Sequence, residues 1–247
     1  DMMLAKHADK YMMDAWEEKS VVCATRIEPP LHPNAGEKIL RDYGVWPEEF
    51  KEEAFSKCVD QLIVDNKGKT TTGIFAPWMI YKQDLLSIGG HDPMMKSCRE
   101  DSDLFNRFKL NGYGLTQSWD SLVYHLTGRG AGSFDGDPER HAAWQNEMQN
   151  STKEFIRKWG SNVLHTPMMG PIVSPKYDIG FVIKNCNGQL LSYLEPWCNT
   201  IYIDHNPSQY IGKEQPNTQF NLSERIKPFD NEKNNEILVE VDQATFT

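Results

Sequence analysis

Residues 87–108 read Ser87-Ile88-Gly89-Gly90-His91-Asp92-Pro93, then a five-residue spacer, then Arg99-Glu100-Asp101-Ser102-Asp103-Leu104-Phe105-Asn106-Arg107-Phe108. A glycine turn leads into three carboxylates at the start of an amphipathic helix, with Leu104, Phe105 and Phe108 on its apolar face. Like charges this close repel one another, so the cluster needs a physical reason. Acidic side chains in the first turn of a helix are stabilised by its macrodipole, by about 0.3–1 kcal/mol each. Alternatively, a carboxylate held at a cleft can take a proton from an attacking hydroxyl. The pattern alone leaves both readings open.

The bulk of the chain narrows the class. Its 247 residues are 39% hydrophobic and 11% aromatic, enough for a buried core and unlike a disordered chain. A net charge of −9 argues against a phosphate-tracking surface and hence against nucleic acid as a partner. No run approaches the ~18 apolar residues that would span a bilayer, and no signal peptide is visible. The five cysteines, Cys23, Cys58, Cys98, Cys186 and Cys198, are odd in number and form no CxxC pair. This suits a reducing, cytoplasmic compartment without a zinc site or disulfide framework. The chain opens on Asp1 rather than an initiator methionine and stops just after a strand-like run, so it reads as a piece of a longer protein.

Working outward, helical spacing covers 6–18, 47–64 and 138–159, and a short helical turn covers 82–87. In the second of these Phe50, Ala54, Phe55, Cys58 and Leu62 are expected inward; in the third, Trp144, Phe155 and Trp159 are expected in the core. The carboxylate helix runs over 100–110 and stops at Asn111-Gly112. Residues 21–25 and 115–125 read as extended, 27–36 as an irregular proline loop, and 72–81 as two short extended pieces around Pro77. Thr127-Gly128-Arg129-Gly130 opens a glycine-rich loop. From about 171 the texture changes: strands over 179–183, 200–204 and 237–241, with a short helix over 189–194, form a βαβ-like start.

Several short motifs stand in order: Gly73-Ile-Phe, Ile88-Gly-Gly-His-Asp92, Glu100-Asp101-Ser-Asp103-Leu104, Asn111-Gly-Tyr113, Val123-Tyr-His125 and Phe155-Ile-Arg-Lys-Trp-Gly160. Each is weak alone. As an ordered set the series resembles the C-terminal, acceptor-side half of family 2 glycosyltransferases of the GT-A fold, over about residues 1–165.

The resemblance implies an inverting transfer of a sugar from a nucleotide-diphosphate donor to a carbohydrate or other hydroxyl acceptor. It makes Asp101 the general base and Glu100 its orienting neighbour. Asp103 becomes an acceptor-side or helix-capping carboxylate. Asp1 stands where the last aspartate of the family's metal-binding motif is expected, and His125 where a further metal ligand often sits. Together they would hold Mn²⁺ or Mg²⁺ on the diphosphate. Arg129 would steady that diphosphate from the glycine-rich loop, which lacks a Walker lysine and is no P-loop. Trp78 would meet the acceptor or pack in the core. Gly89 and Gly90 serve a tight turn and could offer amides to the acceptor. His91 replaces a phenylalanine common in similar sequences and reads as a neutral variation.

The expected fold is therefore α/β: a partial, Rossmann-like GT-A nucleotide-diphospho-sugar transferase domain over 1–170, followed by the start of a second small α/β module over 171–247, apparently unfinished. Asn185 and Cys186 fall at a strand end, a favoured binding position in such sheets, although a structural role fits them better. Two rival readings are a non-catalytic carbohydrate- or protein-binding module on the same frame and a metal-dependent hydrolase built on the carboxylate cluster.

Overall fold

The structure, a computed structural model, describes residues 1–33, 36–96, 98–128 and 136–245. The chain begins with strand β1 (Met2–Leu4), helix α1 (Ala8–Asp14), and strands β2 (Ser20–Glu28) and β3 (Ile39–Leu40). Helix α2 (Glu52–Asp65), strands β4 (Thr70–Thr72) and β5 (Trp78–Met79), and helices α3 (Lys82–Ser87) and α4 (Glu100–Leu110) follow. Then come β6 (Gly114–His125) and the long helix α5 (Pro138–Trp159). The remainder is β7 (Ile179–Lys184), α6 (Gly188–Leu194), β8 (Thr200–Ile203), α7 (Ser208–Glu214), α8 (Leu222–Arg225), β9 (Ile226–Pro228) and β10 (Ile237–Asp242).

These elements form two compact units. The first contains Asp1–Asp92, Asp101–Gln145 and Leu164–Ile172; the second contains Pro93–Glu100, Asn146–Val163 and Val173–Thr247. The chain passes into the second unit for good after Ile172. Residues 93–100 and 146–163 also lie in the second unit, although they precede that point.

The first unit is built on β2, whose nine residues are all buried, the mark of a strand covered on both faces. It pairs in parallel with β6 and β3 and antiparallel with β5, while β1 and β4 run antiparallel to β6. The result is a mixed α/β fold with a parallel centre. Alternation along β2 sorts its side chains between the two faces. Val21 and Cys23 pack with Leu104, Phe105 and Phe108 of α4, and Val22 and Ala24 pack with Met12 of α1. Beyond a register shift at Ala24/Thr25, Ile27 joins Leu122, Tyr124 and the α2 residues Phe55 and Val59. Phe50, Cys58 and Leu62 pack against that cluster as expected, but Ala54 is exposed, its place inward taken by Val59.

The second unit is a four-stranded, wholly parallel sheet in the order β10-β7-β8-β9. Ile183, Leu191, Ile201, Ile203, Leu222 and Ile226 form its core. The C-terminal half of α5 is tied to this unit by Arg157, wholly buried between Glu195 and Glu214 at 2.6 and 2.8 Å. Phe155 is buried and touches the half-buried Trp159, whereas Trp144 is only half-buried. Among the described residues no helix is long and apolar enough to cross a membrane.

Candidate functional site

The Gly-Gly turn and α4 form one constellation of the first unit. Gly89 and Gly90 sit at φ 93° and 64°, left-handed backbone that glycine adopts without steric cost. Their amides donate to the carbonyls of Leu86 and Leu85 at 3.0 and 2.9 Å. They are therefore spent inside the turn rather than offered to an acceptor, and the two glycines shape the site without binding in it.

Arg107 explains why the turn stays put. Its guanidinium donates to the carbonyls of Ile88 at 2.7 Å and Gly90 at 2.6 Å, and its Nε donates to Asp103 at 2.9 Å. Asp103 has no exposed surface. It cannot touch an acceptor, which corrects the acceptor-side role considered for it. Its carboxylate holds the arginine that holds the turn.

Asp101, three residues before the apolar stripe of α4, is half-buried. Burial pushes its carboxyl above the ordinary value, against the opposing pull of nearby His91 and a hydrogen bond from the Trp78 side chain. Trp78 packs edge-on against Phe105 and Phe108, with ring centroids at 6.3 and 6.0 Å, and its ring lies 6.1 Å from that of His91. The tryptophan is thus anchored in the core by its ring beside the carboxylate. A carboxylate made more basic by burial is equipped to accept a proton. Glu100, the first residue of α4, is half-buried as well.

The second constellation joins residues from the two extremes of the unit's sequence. Antiparallel pairing sets Met2 of β1 opposite His125 of β6, and the Leu126 amide donates to the Asp1 carbonyl at 3.0 Å. This brings Asp1 Oδ2 to 3.6 Å from His125 Nε2. On the other side of the ring, His125 Nδ1 lies 2.8 Å from Glu28 Oε1. Burial alone would raise the Glu28 carboxyl. Hydrogen bonds from His125 and Lys38, with the charges of Arg26 and Lys38, outweigh it and bring it down to about 2. An ionised carboxylate can only accept, so Nδ1 carries the shared proton. Nε2 is left facing Asp1.

Glu28 is itself fixed by Arg26 and Lys38, each at 2.7 Å, and Glu37 lies 3.6 Å from the same arginine. All four side chains of this balanced network are buried. Arg26 also stacks on Phe75 at 3.6 Å. Sequence reading missed Glu28, Arg26, Lys38 and Arg107. Only the last pairing left a local trace, the helical i,i+4 spacing of Asp103 and Arg107.

The donor set suits a hard divalent cation that takes its remaining ligands elsewhere. Two ligands bound at ~2.1 Å to one such ion lie about 3.0–3.4 Å apart, within a few tenths of an ångström of the separation seen here. The Glu28–His125 bond fixes the orientation of the imidazole, as a carboxylate does behind the histidine ligands of metal sites. Among the described residues, however, no group of three or more His, Cys, Asp or Glu side chains is arranged to hold an ion. Oxygens of a bound ligand would have to complete the shell, as is usual where Mg²⁺ serves phosphates.

The two constellations share β2. Trp78 pairs with Cys23, five positions before Glu28, or roughly 16 Å along the strand. Arg129 lies outside the described residues. In the second unit, the Asn185 and Cys186 amides donate to the Asp204 carboxylate at 2.7 and 3.0 Å, and the Asn185 side chain donates to Asp242 at 2.8 Å. Those groups knit strand ends together.

Among known proteins, no family model, no curated protein and no solved structure matches this chain.

Proposed function

We propose that the first unit is the acceptor-side half of an inverting, GT-A-type glycosyltransferase acting on a nucleotide-diphosphate sugar. The observation that carries the reading is the meeting of Asp1 and His125 at 3.6 Å, with Glu28 behind the imidazole. The family resemblance implies one cation for these two residues, and they lie at opposite ends of the unit's sheet-forming sequence.

In this reading Asp101 takes the proton from the acceptor hydroxyl as that oxygen attacks the anomeric carbon. Trp78 lies beside the carboxylate, and burial keeps it basic. Asp103 and Arg107 act at one remove by fixing the Gly89-Gly90 turn beside it. Asp1 and His125 would hold Mn²⁺ or Mg²⁺, whose charge, when bound, offsets that of the leaving diphosphate.

The test is release of nucleoside diphosphate from a panel of sugar nucleotides by the native protein carrying this chain, with Mn²⁺ present. Asp101→Asn is expected to lower turnover by roughly 10²–10⁴-fold, the range for a lost general base. His125→Ala is expected to abolish the response to Mn²⁺. Normal turnover in Asp101→Asn would remove the base assignment. Sugar binding without turnover of any donor would favour the non-catalytic module.

A further inference from the structure

A cleft of about 410 Å³ opens in the second unit, within the size range of small-molecule sites. Its lining is unusual for such a site, which is ordinarily apolar with a few polar groups. Six of its thirteen residues are carboxamides: Asn146, Gln149, Asn150, Asn206, Gln209 and Asn217. The whole 247-residue chain contains only 26 asparagines and glutamines.

The arrangement follows from two helices. On α5, Asn146, Gln149, Asn150 and Lys153 recur at i, i+3, i+4 and i+7, the spacing of one helical face. Asn206, just ahead of α7, with Gln209, Tyr210 and Lys213, repeats that pattern across the cleft. Polar stripes thus face each other where helices usually bury apolar ones.

The cationic group at the base is already engaged. Lys153 donates to Ser192 and to Glu214, each at 3.1 Å, and Glu214 also accepts from Arg157. The side chains of Asn146, Gln149, Asn150 and Gln209, in contrast, make no hydrogen bond to other described residues. Asn146, Asn150 and Asn217 also border an adjoining cavity of about 200 Å³ in the same unit, so the polar surface continues beyond the first cleft.

We infer that this groove binds a linear, uncharged oligosaccharide. A carboxamide donates and accepts at once, which matches the alternating demands of neighbouring hydroxyls. Lys153 is already neutralised by Glu214, which leaves Lys213 as the other lysine of the lining, one ammonium where phosphate selection ordinarily draws on several charge-assisted donors. The amide lining gives an apolar ligand nothing to gain. Two adjoining cavities fit a chain of sugar rings better than a single ring. The inference does not depend on the transferase reading, because every residue it uses belongs to the second unit.

The test is calorimetric titration of the native protein with soluble oligosaccharides built from glucose, mannose and N-acetylhexosamine, beside inorganic phosphate and an uncharged extended peptide. At least one saccharide is expected to bind, more tightly as its chain lengthens. The Gln149→Ala/Gln209→Ala variant should weaken that binding about tenfold or more, through two lost hydrogen bonds. Both side chains are exposed, and an unchanged circular dichroism spectrum would verify the fold. Failure of every saccharide to bind by about 10 mM, binding that ignores the double variant, or preferential binding of phosphate or peptide would each overturn the inference.

Discussion

Asp103 and Arg107 are locked together one helical turn apart, with Asp103 Oδ2 at 2.9 Å from Nε and 2.7 Å from the arginine's terminal nitrogen. The carboxylate is fully buried, while the guanidinium spends its other donors on the carbonyls of Ile88 and Gly90. The carboxylates at the start of α4 therefore divide by depth: Asp103 works inward on the turn, and Asp101 stays near the surface beside Trp78.

Arg107→Lys is expected to destabilise the protein by about 3 kcal/mol. An ammonium cannot reproduce the planar fork that serves Asp103 and two carbonyls, and a buried charge loses much of its partner. A lower urea midpoint, with faster hydrogen exchange at the Gly89 and Gly90 amides, would bear this out. An unchanged midpoint would show that the clamp contributes nothing.

Asp101 carries the opposite sign of effect on stability. Its carboxyl is raised on folding, chiefly by burial, so the folded chain holds that proton more tightly than the unfolded one. The stabilising contribution is present at low pH and is lost as pH rises through the folded value. Asp101→Asn should consequently be at least as stable as the parent at pH 7 while losing activity. Denaturant titrations of both proteins at pH 4 and pH 7 test it, and a variant less stable at pH 7 would contradict it.

Glu28 behaves in the reverse manner. Its carboxyl falls from 4.5 to about 2 on folding. The stability it provides is full above about pH 4.5 and disappears as pH drops toward 2, on the order of 3 kcal/mol in all. Glu28→Gln should remove most of that acid-side slope and lower stability at neutral pH, because Arg26 and Lys38 are left buried with the more distant Glu37, at 3.6 and 3.9 Å, as their carboxylate. Parallel acid-unfolding curves for the two proteins would expose the wrong assignment.

Gly73 tests close packing in the first unit. A Cβ at this position would stand 2.0 Å from the Met168 carbonyl oxygen. The obstacle is backbone, which cannot rotate away as a side-chain tip can. Gly73→Ala is expected to cost about 3 kcal/mol, at the upper end for overpacking, read as a lower thermal midpoint. A neutral outcome would mean that residues 164–172 move aside freely.

Much of the helical framework was legible because its boundaries carry local chemistry. Pro138 opens α5, and Asn111-Gly112 closes α4, where the Asn111 side chain returns to the Arg107 carbonyl at 2.8 Å. The βαβ start of the second unit was legible from its β-branched runs. Some short elements were not, β1 of three residues, α7 of seven and β9 ending in Pro228 among them, although α3 and α6, of six and seven residues, were. The expected helix over 6–18 contracts to Ala8–Asp14. The proline loop begins later than expected because β2 continues to Glu28.

The site divides along the same line. Asp101 and His125 stood in the ordered motifs, and Asp1 and Trp78 were reached only through the resemblance those motifs carry. The buried group of Arg26, Glu28, Glu37 and Lys38 did not, since charges along a chain ordinarily signal exposure. Their burial depends on partners brought together only by tertiary pairing. His91 read as a neutral variation, yet it sits against Trp78 and influences Asp101.

The pairing of β2 with β6 also sets the order in which the first unit can form. Ser20 meets Gly114 and Ile27 meets Tyr124, so a strand destined for burial along its whole length leaves the ribosome long before its principal partner exists. Parallel partners this distant in sequence close slowly, since loop entropy is spent before contacts return it. Until β6 arrives, Val21, Val22, Cys23 and Ala24 form an exposed, aggregation-prone segment. Nascent chains stopped before residue 114 should therefore depend on chaperones, and refolding from denaturant should slow and lose yield as protein concentration rises.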